Sequence, residues 1–255
     1  MQYIDEVNMK KLSKVNTSSW EAIKNNVFFR VVNEKCLDKY GENIAYVKFL
    51  DLAITFSVQE KKQNTLVSHM LTKEELASFN VNVDEVKQTA LYNTENNRKR
   101  RIMTFKQSFL KDNLMYPIMK IPERLILGVG NSMSDCGIIE DVDLENECDN
   151  ILIVCNKNNT FGASYIAVPK MLEEVYNRFG EENFYIIPLS VHQIMCIRRG
   201  YVSHEGKKPN YEVEDDLLDM LEDFNDNNNK SWKDILSYKI YYYFGDDGKR
   251  VFPIE

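Results

Sequence analysis

Apolar and polar positions alternate in blocks along this chain, and the blocks predict strands more often than helices. Val27–Val32 (VFFRVV) is aromatic and β-branched, which suits a strand. Val47–Val58 (VKFLDLAITFSV) reads as a second strand, with a nearly continuous apolar middle expected of a central strand buried on both faces. Asn64–Leu71 predicts a third, with Glu60–Gln63 as the polar hairpin connection. Ile151–Cys155 predicts another. A turn at Asn156–Thr160 follows, where Asn tolerates left-handed backbone angles, and Phe161–Val168 is read as the returning strand. Phe184–Ile187 and Ile194–Arg198 form a pair about a turn at Pro188–Ser190, and Tyr238–Phe244 with Val251–Phe252 form a terminal hairpin.

Helices are marked by caps and by a period of 3.6. Thr72 and Glu75 have the spacing of a capping box, so a helix is expected to start there. Asp84 opens another that runs to about Asn93. Pro169 sits at a first helical position, Met171, Leu172, Val175, Tyr176 and Phe179 mark one face, and Gly180 ends the helix. Val213–Phe224 is acidic, with an apolar stripe at Val213, Leu217, Leu218 and Leu221.

These elements predict an α+β fold: a mixed, mainly antiparallel sheet with helices packed on it. Residues 1–20 are polar and aperiodic, expected as a loose tail or a short docked helix, and 21–255 as a single domain. Residues 50–79 and 149–179 share a strand–turn–strand–helix layout, which suggests two related lobes at 21–97 and 120–255. Residues 94–125 are read as the connection between the lobes, and 128–149 as an irregular excursion.

Composition adds bounds. A chain of 255 residues, 44% apolar and 28% charged, has the makings of a globular core. The net charge of −7 disfavours a broad nucleic-acid footprint but leaves room for a local basic patch. Five cysteines at 36, 136, 148, 155 and 196, odd in number and widely spaced, do not read as a disulfide framework; reduced thiols in a cytoplasm are expected. No signal peptide and no run of eighteen apolar residues is present, so no membrane association is expected.

Three segments resemble a family of unknown function found mainly in gut clostridia, number fifty-six eighty-eight in the domain-of-unknown-function series. They are Val27–Asn33 with Phe49–Ile54, Asn156–Lys157 through Phe161–Ala163, and Tyr185–Pro188 through Ser190–His192. The likeness covers roughly residues 24–255 and implies a bacterial protein with no assigned activity, cofactor or catalytic residue. Two departures accompany it. Family members usually carry a longer N-terminal segment. The family's serine pair and acidic neighbour around the histidine stand here as Leu189–Ser190 and His192–Gln193, which weakens any chemistry using an acid beside that histidine.

Each candidate site has a plainer reading beside it. Ser190, His192 and Asp51 have the residue types of a nucleophile, base and orienter, but no Gly-x-Ser-x-Gly elbow exists, and Ser190 and His192 would more naturally cap a turn. His69, His192, His204, Cys136 and Cys148 lack metal-ligand spacing. Gly128–Asn131 lacks the third glycine and the Lys-Ser/Thr of a phosphate loop. Arg98, Lys99, Arg100 and Arg101, with Lys106, Lys111, Phe105 and Phe109, could contact nucleic acid or phosphate, or be a solvated helix face over two core aromatics. Glu212–Asp226 carries eight carboxylates and no Lys or Arg, usually the water-facing side of an amphipathic helix. Asn156 and Lys157, with the neighbouring Ser190 and His192, form the candidate ligand-binding turn.

The favoured expectation is therefore a non-catalytic binding or regulatory module, without cofactor or metal, whose partner is a protein before it is nucleic acid. The alternatives are a hydrolase-type enzyme using Ser190 and His192, and a mobile-element or phage protein that blocks a host factor through its acidic surface.

Overall fold

The structure, a computed structural model, describes residues 2–5, 19–62, 65–104, 107–108, 150–202, 210–228, 231–245 and 250–254. Its first sheet holds five strands: β1 (Gln2–Asp5), β2 (Val27–Asn33), β3 (Tyr46–Phe49), β4 (Leu52–Lys62) and β5 (Thr65–Met70). β4 is the axis. One side pairs antiparallel with β2, from Leu52 opposite Asn33 to Val58 opposite Val27. The other side is shared end to end by β3 and β5. β1 lies parallel to β5, so the expected N-terminal tail begins as a strand.

The single strand expected over Val47–Val58 is two strands. Leu50–Asp51 turns the chain between Phe49 and Leu52, with Leu50 at φ 58°. The two halves differ in burial. β3 alternates half-buried Val47 and Phe49 with exposed Tyr46 and Lys48, whereas Leu52–Val58 is buried throughout. Apolar content hid the change because both halves are rich in large side chains, and only the period separates a one-sided strand from a two-sided one.

Helix α1 (Trp20–Ile23) leads into β2; α2 (Lys73–Ser78) and α3 (Val83–Asn96) follow β5. The capping box forms as expected: Thr72 Oγ1 accepts from Glu75 N and Glu75 Oε2 accepts from Thr72 N. α3 is capped by Asn82, two residues before the expected Asp84.

The second sheet is antiparallel throughout, in the spatial order Arg250–Pro253, Tyr241–Phe244, Phe184–Ser190, Gln193–Arg198, Ile151–Asn156 and Arg100–Thr104. Its strands are β6 (Arg100–Thr104), β7 (Ile151–Asn156), β8 (Phe184–Ser190), β9 (Gln193–Arg198), β10 (Tyr241–Phe244) and β11 (Arg250–Pro253). The basic run is thus a turn and a strand rather than a helix face. Phe105, Lys106, Phe109, Lys111, Gly128–Asn131, Cys136, Cys148 and His204 lie outside the described residues. The turn between β8 and β9 is Val191–His192, beyond the expected Pro188–Ser190, because β8 continues to Ser190 through a register shift.

Phe161–Val168 is not a returning strand. Phe161 takes the left-handed conformation (φ 54°, ψ 29°) and Gly162–Ala167 coils as a 3-10 helix into the core. The edges of β7 are already taken by β6 and β9, so no place remains for a strand there. The second half of the supposed repeat therefore lacks its second strand. Helix α4 (Pro169–Arg178) follows with Pro at its start, and Gly180 ends it at φ 73°. After α5 (Arg199–Val202), helix α6 (Asn210–Asn228) lays Val213, Leu217, Met220, Leu221 and Phe224 over Tyr185, Ile187, Met195 and Ile197 of the second sheet. Its carboxylates are left mainly to the opposite, outward side.

The inner faces of both sheets meet in one core with α3, α4 and the 3-10 segment. Phe29, Ile54 and Phe56 come from the first sheet, Leu152, Ile186 and Tyr243 from the second. Each fully buried side chain of this size contributes roughly 1.5–3 kcal/mol. No described helix is long and apolar enough to cross a membrane.

Gly162 is fitted to this crossing. A Cβ there would stand 2.5 Å from His192 O, 2.6 Å from Cys155 Cα and 2.8 Å from Asn156 N, all backbone atoms. Gly162→Ala is therefore expected to lower stability by about 1–3 kcal/mol in urea unfolding; an unchanged midpoint would show that the crossing yields freely. A second expectation concerns acid. Burial pushes the Glu75 carboxyl up, but its bonds to His69 and Thr72 outweigh this and hold it below the ordinary value. With the folded pKa depressed, its contribution is complete above the ordinary carboxylate value of about 4.3 and is lost as pH falls through the lower folded value. Glu75→Gln should cost about 1 kcal/mol at pH 7 through the damaged cap. Its loss should shrink between pH 7 and pH 3, as read by urea midpoints at both.

Candidate functional site

β2 pairs with β4 on one side only, so its other edge offers bare backbone groups. Side chains from the end of α3 take them up. Asn93 Nδ2 donates to Lys24 O (2.7 Å) and Val27 O (2.9 Å). Thr94 Oγ1 accepts from Phe29 N (2.9 Å) and donates to Ala90 O (2.7 Å). Arg98 completes the row: its Nη1 donates to Phe29 O (3.2 Å), and also to Phe161 O (3.3 Å) and Ser164 Oγ (2.9 Å) across in the second half of the chain.

Arg98 is 8% exposed, and burial brings its pKa down to about 10, so it stays cationic at neutral pH. Its Cζ lies 4.9 Å from the Phe28 ring centre, and its Nη2 is buried without a hydrogen-bond partner. Tyr165 OH donates to Arg98 O, and burial raises that phenol to about 12.

The Asn156 turn is built by its first side chain. Asn156 Oδ1 accepts from Asn158 N (2.9 Å) and Thr160 N (3.0 Å), and its Nδ2 donates to Thr160 O. Asn159 occupies the left-handed region at φ 54°. Lys157 N donates to Lys99 O (2.8 Å), which carries the β6–β7 pairing one step further and sets the two exposed lysines on one rim.

Between that turn and the outer face of the first sheet lies a cleft of about 290 Å³. Arg98, Lys99, Asn156 and Lys157 line it together with Phe28 and Gln59. Two candidates that the sequence kept apart, the first half of the basic run and the Asn-rich turn, thus line one cleft. The other half of the run turns away, since Arg100 Nε bonds Glu174 Oε2 of α4 (2.8 Å), and Arg101 does not line the cleft. Phe28 and Gln59 were not anticipated. Gln59 opens the polar stretch that reads as a hairpin connection, but strand β4 runs on through it to Lys62, and the face Gln59 takes depends on a register the sequence does not display.

Ser190 and His192 stand on the far side of the 157–161 loop. His192 Nδ1 accepts from Phe161 N (3.1 Å), so the neutral ring carries its proton on Nε2, 3.7 Å from Asp234 Oδ1. Ser190 Oγ accepts from the His192 backbone N–H (3.1 Å). Asp51 is elsewhere: its carboxylate accepts from Ser237 Oγ (2.9 Å) and Tyr241 OH (2.8 Å), docking the β3–β4 hairpin against the second sheet. The three residue types of a triad are present and their geometry is not. Among the described residues no three His, Cys, Asp or Glu side chains are grouped to hold a metal ion.

The fold and site define an α+β protein of two sheets with a cation-lined cleft at their junction. The chain belongs to a family of unknown function, DUF5688, whose model matches residues 1–244. No curated protein and no solved structure matches the chain.

Because Arg98 joins the two sheets, Arg98→Met is expected to destabilise the protein by about 1–3 kcal/mol, chiefly through an orphaned Phe29 carbonyl. Relief of the buried charge opposes this. A urea midpoint raised by the substitution would show that burial costs more than the three bonds return.

Proposed function

We propose that this protein is a non-catalytic binding protein whose ligand site is the cleft between the Asn156 turn and the first sheet. The observation that carries this reading is a contrast in how polar groups are used. At the His192 turn the side chains serve the backbone: Ser190 caps it and Nδ1 of the imidazole holds Phe161 N–H. Ser190 Oγ is engaged with an amide rather than with the ring that would have to take its proton. At the cleft, Lys99 and Lys157 are exposed on the rim, and Gln59 Nε2 is buried without a partner.

The hydrolase reading asks His192 to act as base through Nε2, with Asp234 nearby, while Nδ1 is committed to the Phe161 amide and Ser190 Oγ to the His192 amide; this is a weaker fit to the geometry. Inhibition of a host factor through the acidic face of α6 draws support from charge alone, since the apolar face of that helix is spent on the second sheet. A reducing cytoplasmic setting agrees with Cys155 and Cys196 buried as thiols, where burial holds the Cys196 proton on.

The purified protein is expected to leave p-nitrophenyl acetate, p-nitrophenyl phosphate and a single-stranded oligonucleotide unchanged. Turnover of any of these that disappears in His192→Ala would overturn the reading.

A further inference from the structure

Resting on the reading of the cleft as a binding site, we infer that its ligand is a small phosphorylated molecule bearing hydroxyl groups, held at the phosphate by Lys99 and Lys157 over the buried charge of Arg98.

The first argument is charge. Three cations converge on one cleft, and its described lining includes no Asp or Glu. The nearest acid on α3, Glu95, is bound to Lys170 (2.7 Å). Among the described residues no carboxylate is paired with Arg98, and its bonds run to two carbonyls and a hydroxyl, none of which neutralises it. A buried guanidinium without a counter-ion is costly to keep, and an anion above it would offset that cost. In a chain of net charge −7 this concentration of positive charge is local rather than part of a general basic surface.

The second argument is reach. Nη2 of Arg98 is sealed from water, so the residue acts as positive potential at the cleft floor, while the exposed Lys99 and Lys157 make the contacts. The bond from Lys157 N to Lys99 O keeps their backbones adjacent, which puts one anion within reach of both long side chains. A phosphate ester carries about −1.5 to −2 charges at pH 7, a better match to three cations than a single carboxylate.

The third argument is size and lining. The cleft volume of about 290 Å³ is far larger than an inorganic phosphate needs. Away from the lysines the wall presents amides, Gln59, Asn26 and Asn97 among them. Donors and acceptors of this kind suit hydroxyl groups.

The test is ³¹P NMR on the full chain at low ionic strength, with ribose 5-phosphate, inorganic phosphate and ribose 5-phosphate plus excess ribose as arms. The ester resonance should shift and broaden, more strongly than that of inorganic phosphate. The double variant Lys99→Gln/Lys157→Gln, both exposed and away from the core, should weaken binding by at least about tenfold, since each charge-assisted bond lost is worth that much. An unshifted ester resonance at millimolar protein would overturn the ligand class and leave the binding reading standing, as would equal responses to ester and inorganic phosphate. Undiminished binding in the double variant would overturn the site. Appearance of free phosphate from the ester would instead overturn the non-catalytic reading.

Discussion

The open edge of β2 is the constraint around which this molecule is arranged. A strand with one neighbour leaves carbonyls and amides that must be paired or hydrated, and here they lie inside the protein. Another strand would have extended the first sheet. Instead, Asn93, Thr94 and Arg98 from one stretch of chain meet Val27 O, Phe29 N and Phe29 O in turn. Since the last of these three side chains also bonds Phe161 O and Ser164 Oγ, satisfying the edge of one sheet fastens the other. The cleft follows from the same choice, because a side-chain-capped edge ends in a corner, whereas a paired edge would have filled it.

Backbone strain gathers at the same junction. Phe161 holds a left-handed conformation that aromatic residues rarely adopt, at a cost on the order of 1–3 kcal/mol. Its surroundings hold it there: His192 takes its amide, Arg98 and Ser164 take its carbonyl, and the Arg30 guanidinium packs 4.2 Å from its ring centre. Leu50, at φ 58°, is held similarly at the hairpin that Asp51 docks onto Ser237 and Tyr241. Both strained residues sit where one half of the chain grips the other, and neither position has a glycine that would have announced it.

Ser190, His192 and Asp51 illustrate how residue types mislead. Their side chains make hydrogen bonds of ordinary length, each to a group that locks the architecture. A histidine accepting a backbone amide through Nδ1 orients a loop, and its tautomer follows from that duty. The basic run divides in the same fashion, with Arg98 sealed inside, Lys99 on the rim and Arg100 tied to α4.

The sequence by itself determined the α+β class, most of the strands, the helices α2, α3, α4 and α6, the Thr72 capping box and the Asn156 turn, and it marked Arg98, Lys99, Asn156 and Lys157 as residues of interest, while β1, β6, α1 and α5 went unread. These features rest on period, caps and turn chemistry, which act over a few residues and are written locally. Only the tertiary structure decided that Val47–Val58 folds back at Leu50, that Phe161–Val168 coils instead of pairing, and that the basic run and the Asn turn share a cleft with Phe28 and Gln59. Those outcomes depend on which strand edges are already occupied and which backbone groups remain to be satisfied. Such competition is settled between segments up to well over a hundred residues apart, and no local pattern records it.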